Sequence, residues 1–427
     1  MAAVLATCFA ALTGQAFADT ISVVTSFPKE LTEAYKKAYE AKYPNDKVEI
    51  LNKNTAAGMA YVREQSVGSR PEVFWASAPD AFEVLAAQKL LQKVDSGNAN
   101  IPAKVGSYPI NDPEGLYKGQ ALAGYGIMWN TRYTKANKLP DPKEWADLMA
   151  PVYFGHVAIS SPSRSGTTHL TLETILQGEG WDKGWNQMLR IAGNCAAITD
   201  RSFGVPDGVS NGQFGVGLVV DFFGLASKNS GFPVEFVYPS VTAIVPANIA
   251  LINGAKNAEA GKRFIQFTLS EEGQALLLDK KISRLPVMPS MYAKAPAGYP
   301  NPFSGAIKAK VNFDTELSES RYYVVSSMFD QIITFRHKEL VAATKAIHDA
   351  EKRLGGKSSP QLDEARKLAF TSPVTEAQTK DKAMLVLFKA DKKDAAATAQ
   401  KTKVEEEWAQ KVKANYAKAT ELANSAK

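Results

Sequence analysis

The run Ser160-Ser161-Pro162-Ser163-Arg164-Ser165-Gly166-Thr167-Thr168 holds the densest set of potential ligand donors in the chain. It follows a β-type stretch, His156-Val157-Ala158-Ile159, and leads into a helical pattern from Thr167 to Gln177. Hydroxyls, a glycine and a helix start together favour an anion. The first N–H groups of a helix have no intrahelical partner, and its macrodipole is positive there. Arg164 adds a planar fork that can hold a phosphate or carboxylate through two hydrogen bonds. An ordinary N-cap from Ser165 or Thr167 would use the same residues without any ligand. The run alone does not decide between the two.

Three other turns share its form. Thr25-Ser26, Asn54-Thr55-Ala56-Ala57-Gly58 and Ser77-Ala78-Pro79-Asp80 each join a strand-like stretch to a helix-like one. In open parallel sheets such loops gather at the carboxyl ends of the strands, where ligands bind. Asp221, after the run Gly217-Leu218-Val219-Val220, is placed either to accept from a ligand hydroxyl or amine or to cap a helix. The expected ligand contacts are therefore Ser26, Thr55, Ser77, Arg164, Ser165, Gly166, Thr167 and Asp221. Arg201-Ser202 is a weaker candidate.

Catalytic signatures do not accompany these turns. His156, His169, His337 and His348 show neither H-x-x-x-H nor H-E-x-x-H spacing, and there is no nucleophile elbow or phosphate-binding loop. Gly215-Val216-Gly217 stands alone, and Glu271-Glu272 suits a helix start. The expectation is a binding protein with no catalysis, no cofactor and no metal site.

The elements that must position these turns alternate. Ile21–Thr25, Val48–Leu51 and Val73–Ala76 read as strands. Helical patterns run to Lys42, over Met59–Glu64, and from Asp80 to Gln92. A second series follows, with strands at His156–Ile159, Ala196–Ile198, Gly217–Val220 and Val234–Tyr238, then helices over Ala258–Thr268 and Glu271–Leu278. Such alternation predicts α/β units around a largely parallel sheet. Beyond Phe303, Gly and Pro thin out while Ala, Lys and Glu dominate. Phe335, Leu340 and Ala343, then Trp408, Val412 and Tyr416, recur at helical spacing, which predicts a folded helical extension.

Bulk composition narrows the class. A chain of 427 residues with 45% hydrophobic residues is long enough for two cores. Its net charge of +6 is dispersed, so no nucleic-acid partner is expected. Residues 1–18 form an apolar run ending Ala16-Phe17-Ala18, read as a signal peptide cleaved before Asp19, although no basic residue precedes it. Export to the periplasm follows from that reading. Removing the segment takes Cys8 and leaves Cys195 alone, so no internal disulfide can form.

The ordered segments Val73-Phe74-Trp75-Ala76-Ser77-Ala78-Pro79-Asp80, Gly126-Ile127-Met128-Trp129-Asn130-Thr131 and Ser161-Pro162-Ser163-Arg164-Ser165-Gly166-Thr167 carry a family resemblance. So do Val245-Pro246-Ala247-Asn248-Ile249-Ala250-Leu251 and Phe267-Thr268-Leu269-Ser270-Glu271-Glu272-Gly273-Gln274. Over about Ile21 to Pro289 the chain resembles the type II periplasmic binding proteins of ABC importers, in the branch of ferric-ion, sugar-phosphate and phosphoglycerate receptors. The resemblance implies an α/β, two-lobed periplasmic-binding-protein fold with two crossing hinge strands, near Gly124–Trp129 and Pro239–Pro246. Residues 19–123 and 245–302 would form one lobe, 124–244 the other, and 303–427 the C-terminal helical extension. Iron-binding relatives place adjacent tyrosines where this chain has Phe222-Phe223, and phenylalanine cannot ligate a metal. The implied ligand is therefore a small anion: a phosphorylated sugar, a phosphoglycerate-like acid or a phosphonate. The implied partner is an importer permease. A sensor for a membrane signalling receptor, a ferric-ion carrier and a periplasmic phosphatase are the competing functions.

Overall fold

A computed structural model of the chain describes residues 19–390 and 393–427; the expected signal segment, 1–18, lies outside the described residues. The first lobe opens with β1 (Asp19–Thr25), α1 (Lys29–Lys42), β2 (Asp46–Asn52), α2 (Thr55–Glu64), β3 (Val73–Ala76) and α3 (Pro79–Ala87). β1 lies between β2 and β3 and pairs parallel with both. Consequently Ser26, Thr55 and Ser77, each just past a strand, sit along one edge of the sheet. The helix expected to reach Gln92 ends at Ala87. Lys89 turns the chain with φ 58°, and Leu91–Gln92 form the short strand β4.

A small hairpin, β5 (Lys104–Val105) and β6 (Tyr108–Pro109), precedes the long strand β7 (Lys118–Asn130). The second lobe then runs α4 (Thr131–Ala136), β8 (Val157–Ser160), α5 (Gly166–Glu179), α6 (Trp181–Gly193), β9 (Cys195–Thr199), α7 (Gly204–Ser210), β10 (Val216–Val220), α8 (Asp221–Asn229) and β11 (Val234–Val237). β12 (Ile244–Ile252) returns to the first lobe, followed by α9 (Ala258–Leu269), α10 (Glu271–Leu276) and β13 (Leu285–Pro286). Strands follow the order β2-β1-β3-β12-β7-β10-β8-β9.

β7 serves both lobes. Its first half, to Gly124, pairs antiparallel with β12, and from Tyr125 onward it pairs antiparallel with β10 and β11. The chain recrosses between Val237 and Ile244. Gly124 permits the two crossings to approach: a Cβ there would lie 2.6 Å from Ile244 and 2.8 Å from Tyr238. Such contacts are shorter than packed atoms tolerate, so a side chain there would force the facing Ile244 and Tyr238 side chains to shift.

The extension comprises α11 (Thr315–Ile332), α12 (His337–Arg353), α13 (Pro360–Phe370), α14 (Lys382–Lys389) and α15 (Ala395–Ser425). Asp314, Ser359, Asp381 and Asp394 cap α11, α13, α14 and α15 through side-chain acceptors. Trp408, Val412 and Tyr416 are buried, as their spacing predicts. Leu340 and Ala343 are buried too, whereas Phe335 precedes α12 and is half exposed. The extension is bolted to the second lobe. The Trp181 indole donates to the Val374 carbonyl at 2.8 Å, Asn186 to that of Phe370 at 3.1 Å, and Arg321 grips Glu173 with two bonds at 2.9 and 2.8 Å. α11 also reaches the first lobe, where Ser318 donates to Asp80 at 2.8 Å.

Candidate functional site

The hydroxyl turns meet between the lobes. Ser26, Phe27 and Thr55 from the first lobe and Arg164, Ser165, Thr167, Arg201 and Ser202 from the second surround one cavity, with Phe222 and Phe223 completing it. Its volume is about 10 Å³, room for about one water. The lobes are therefore closed upon each other, and the Gly166 N–H donates across the gap to the Thr55 hydroxyl at 3.3 Å. A Cβ on Gly166 would lie 2.5 Å from the Ala78 Cβ, so this glycine permits the approach. Toward solvent the cleft widens into a groove of about 840 Å³ between α1 and the α7–α8 region, walled in part by Pro28, Ile50, Phe203 and Phe232.

Each expected contact has a definite place. Ser165 faces the cavity and also caps α5, accepting from Thr168 N at 3.1 Å, so the structural and the ligand-facing roles coexist. Arg164 lies at the rim, bonded to the exposed carboxylate of Asp200. An exposed pair of this kind holds weakly and can be exchanged for a ligand anion. Arg201, the weaker candidate, is on the cavity wall. It donates to Asn52 of the first lobe at 3.2 Å and stacks 4.9 Å from the Phe203 ring. Burial pulls its guanidinium below the usual arginine range.

Three expected contacts do not line that cavity: Gly166, whose N–H is spent on Thr55 across the gap, Ser77 and Asp221. Ser77 is buried with an unpartnered hydroxyl and does not line it. Asp221 is fully buried at the first turn of α8, where it accepts from Gly124 N at 2.7 Å, the Tyr238 hydroxyl at 2.9 Å and Phe222 N at 2.7 Å. Those bonds tie α8 to both crossings. Burial pushes its carboxyl up to about 7, because the three donors offset only part of the lost hydration. Asp221 does not cap α8, whose N-cap is Val220; its carboxylate instead holds the two crossings together through Gly124 and Tyr238.

Arg284 has no counterpart in the expectations. It precedes β13 and is 1% exposed, with its guanidinium 3.9 Å from the centre of the Phe27 ring and 3.5 Å from that of Phe222. One ring comes from each lobe. Both terminal nitrogens lack a hydrogen-bond partner, and among the described residues no carboxylate forms an ion pair with them. Burial draws its pKa down to about 9, with the field of Asp221 opposing the fall. Only a three-dimensional assembly of Phe27, Phe222 and Arg284 exposes this feature; no local pattern marks it.

Comparison with known proteins adds a lineage. Residues 68–306 match the family model described as bacterial extracellular solute-binding protein. The phosphoglycerate transport regulatory protein of Salmonella typhimurium is 29% identical over 381 residues, covering 88% of this chain and 91% of that protein. The match is longer than the part preceding the extension, so the likeness continues into it. Among solved structures, the periplasmic binding protein AfuA of Actinobacillus pleuropneumoniae, with exogenous fructose-6-phosphate bound, aligns at TM-score 0.66 and 20% identity over 74% of this chain and 99% of that one. Iron-bound HitA of Pseudomonas aeruginosa aligns at 0.58 and 18% identity, over 69% and 93%.

Proposed function

This chain belongs to the bacterial extracellular solute-binding proteins, and we propose that its interlobe cleft captures a small phosphorylated organic anion by hinge closure for delivery to an ABC importer permease. The observation that carries the reading is the meeting of Ser26 and Thr55 from one lobe with Arg164, Ser165, Thr167 and Arg201 from the other around a single cavity. Hydroxyls, arginines and the α5 N-terminus all favour an oxyanion. Contacts to both lobes make a ligand bind the closed form better than the open one, which is what drives closure. The fructose-6-phosphate on AfuA and the name of the Salmonella relative agree with a phosphorylated ligand.

Ferric iron suits this cleft less well. The two arginines on the cavity wall, Arg164 and Arg201, oppose a trivalent cation, and the segment Asp221-Phe222-Phe223 supplies two rings without donor atoms. A ligand sensor for a membrane receptor is the second reading, favoured by the relative's regulatory name and by an extension that touches both lobes. In either role the protein works in the periplasm after cleavage before Asp19, and no bond of the ligand is broken.

Calorimetric titration of unfolded and refolded protein tests the ligand class, with glucose 6-phosphate, 3-phosphoglycerate, inorganic phosphate and ferric citrate as probes. We expect binding of an organophosphate at about micromolar Kd or tighter, equivalent to about −8 kcal/mol. Tight iron binding, or silence from every phosphorylated compound, would overturn the assignment.

A further inference from the structure

A second cavity, of about 520 Å³, lies where the extension begins, and it shares no lining residue with the interlobe cavity. The first lobe lines it from α3, the β5–β6 hairpin with the loop that follows, and β12; residues 312–316 close it from the extension. Gln177 of the second lobe fixes that segment, donating to the Asp314 carbonyl at 3.0 Å and accepting from its N–H at 2.7 Å. Four prolines and Phe313 wall the space, which has the size of a small-molecule site.

Its charged groups are all of one sign. Glu83, Asp314 and Glu316 line it, no lysine or arginine does, and among the described residues none of the three forms an ion pair. Glu83 accepts from the Tyr117 hydroxyl, yet burial and the charges of Asp112, Glu319 and Glu316 push its carboxyl above the usual glutamate range. A cation in the cavity would relieve that repulsion. Asn248 points to a ligand independently of charge. It lines the cavity from β12, is 0% exposed, and both its amide oxygen and its amide nitrogen lack a hydrogen-bond partner. Leaving buried polar atoms unpaired costs free energy. Hydroxyl groups serve both atoms, donating to the oxygen and accepting from the nitrogen. A bare metal ion fits worse, since no group of three His, Cys, Asp or Glu among the described residues could hold one. We propose that this cavity is a second binding site, for a small hydroxyl-bearing organic ammonium compound such as an amino alcohol or an amino sugar. The carboxylates hold the ammonium group and Asn248 the hydroxyls. The site is independent of the phosphorylated-ligand reading, because no residue of the interlobe cavity takes part in it.

Two matched pairs of probes test this by calorimetry on the full chain: glucosamine against glucose, and ethanolamine against ethylene glycol. Within each pair the ammonium group is exchanged for a hydroxyl. At least one ammonium compound should bind, and about 10- to 100-fold more tightly than its neutral partner, the range expected for hydrogen bonds to charged groups. Glu83→Gln keeps an acceptor for Tyr117 but removes the charge, and should weaken that binding about tenfold or more. Asn248→Leu is of similar volume without polar atoms. It should weaken binding too, while the thermal midpoint of the ligand-free protein holds or rises, because two unpaired buried atoms are gone. Silence from both ammonium compounds, equal affinity within each pair, or undiminished binding in either folded variant would overturn the proposal. Tighter binding of calcium than of either amine would also overturn it, by marking the carboxylates as a metal site.

Discussion

Asp221 illustrates how a side chain suited to ligand binding by type is committed elsewhere by its surroundings. Its carboxyl is raised to about 7 by burial, as is that of Asp80. A carboxyl whose folded pKa lies above its unfolded value adds stability that is full below about 4 and is lost as pH rises through about 7. Groups held low, such as Glu173 beside Arg321, have completed their titration below that window. His169, drawn down to about 4 by burial, opposes the trend between about pH 4 and 6.5 and leaves it alone above that. Unfolding monitored by circular dichroism should therefore show stability falling between pH 6.5 and 8. Asp221→Asn, which keeps an acceptor for Gly124 and cannot ionise, should remove the portion owed to Asp221, on the order of 1 kcal/mol. A pH profile unchanged by the substitution would contradict the buried, proton-holding environment described for this residue.

At the scale of an element, the start of α5 does two jobs. Ser165 caps the helix while Gly166 lets the second lobe touch Ala78 and Thr55 of the first. The added methyl of Gly166→Ala meets those atoms only when the lobes close. The variant should fold normally and weaken ligand binding by about 1–3 kcal/mol, the usual cost of overpacking. Calorimetry paired with a melting curve separates the effects, and an unaltered affinity would show that closure is looser than the 2.5 Å approach implies. Much of this element was legible beforehand, because a strand, a hydroxyl-rich turn and an amphipathic run are neighbours in sequence. Its second role was not, since Ala78 lies far away along the chain.

For the whole molecule, the extension bridges the two lobes. Mounted on the second lobe through Trp181, Asn186 and Glu173, it carries α11 across to α3 of the first. At that seam Asp80, Ser318 and His169 are buried together, and the Tyr322 ring packs 4.3 Å from the His169 ring. Asp80 and His169 approach to 3.3 Å, the spacing of an ion pair. Burial nevertheless raises the acid and lowers the base, so it favours the neutral form of each over an ion pair. Hinge opening must break these contacts. Asp80→Ala, a change in the first lobe that leaves the extension's own packing in place, should cost the closed form about 1–3 kcal/mol. Small-angle scattering of the ligand-free protein should then report a larger radius of gyration than for the wild type. Identical radii would mean that the seam does not restrain the lobes.

The sequence by itself determined the α/β alternation, the hydroxyl turns at strand ends and the helical character of the extension. Each of these depends on residues within a turn or two of one another, where periodicity and capping chemistry act locally. It also carried the family resemblance that the match over residues 68–306 bears out. Tertiary structure alone decided which turns share a cavity, that Asp221 serves the hinge, and that α11 spans both lobes. It alone brought Phe27, Phe222 and Arg284 together from three distant parts of the chain. A guanidinium between two rings has no local signature, because its cost arises from burial, and burial exists only once the chain has folded.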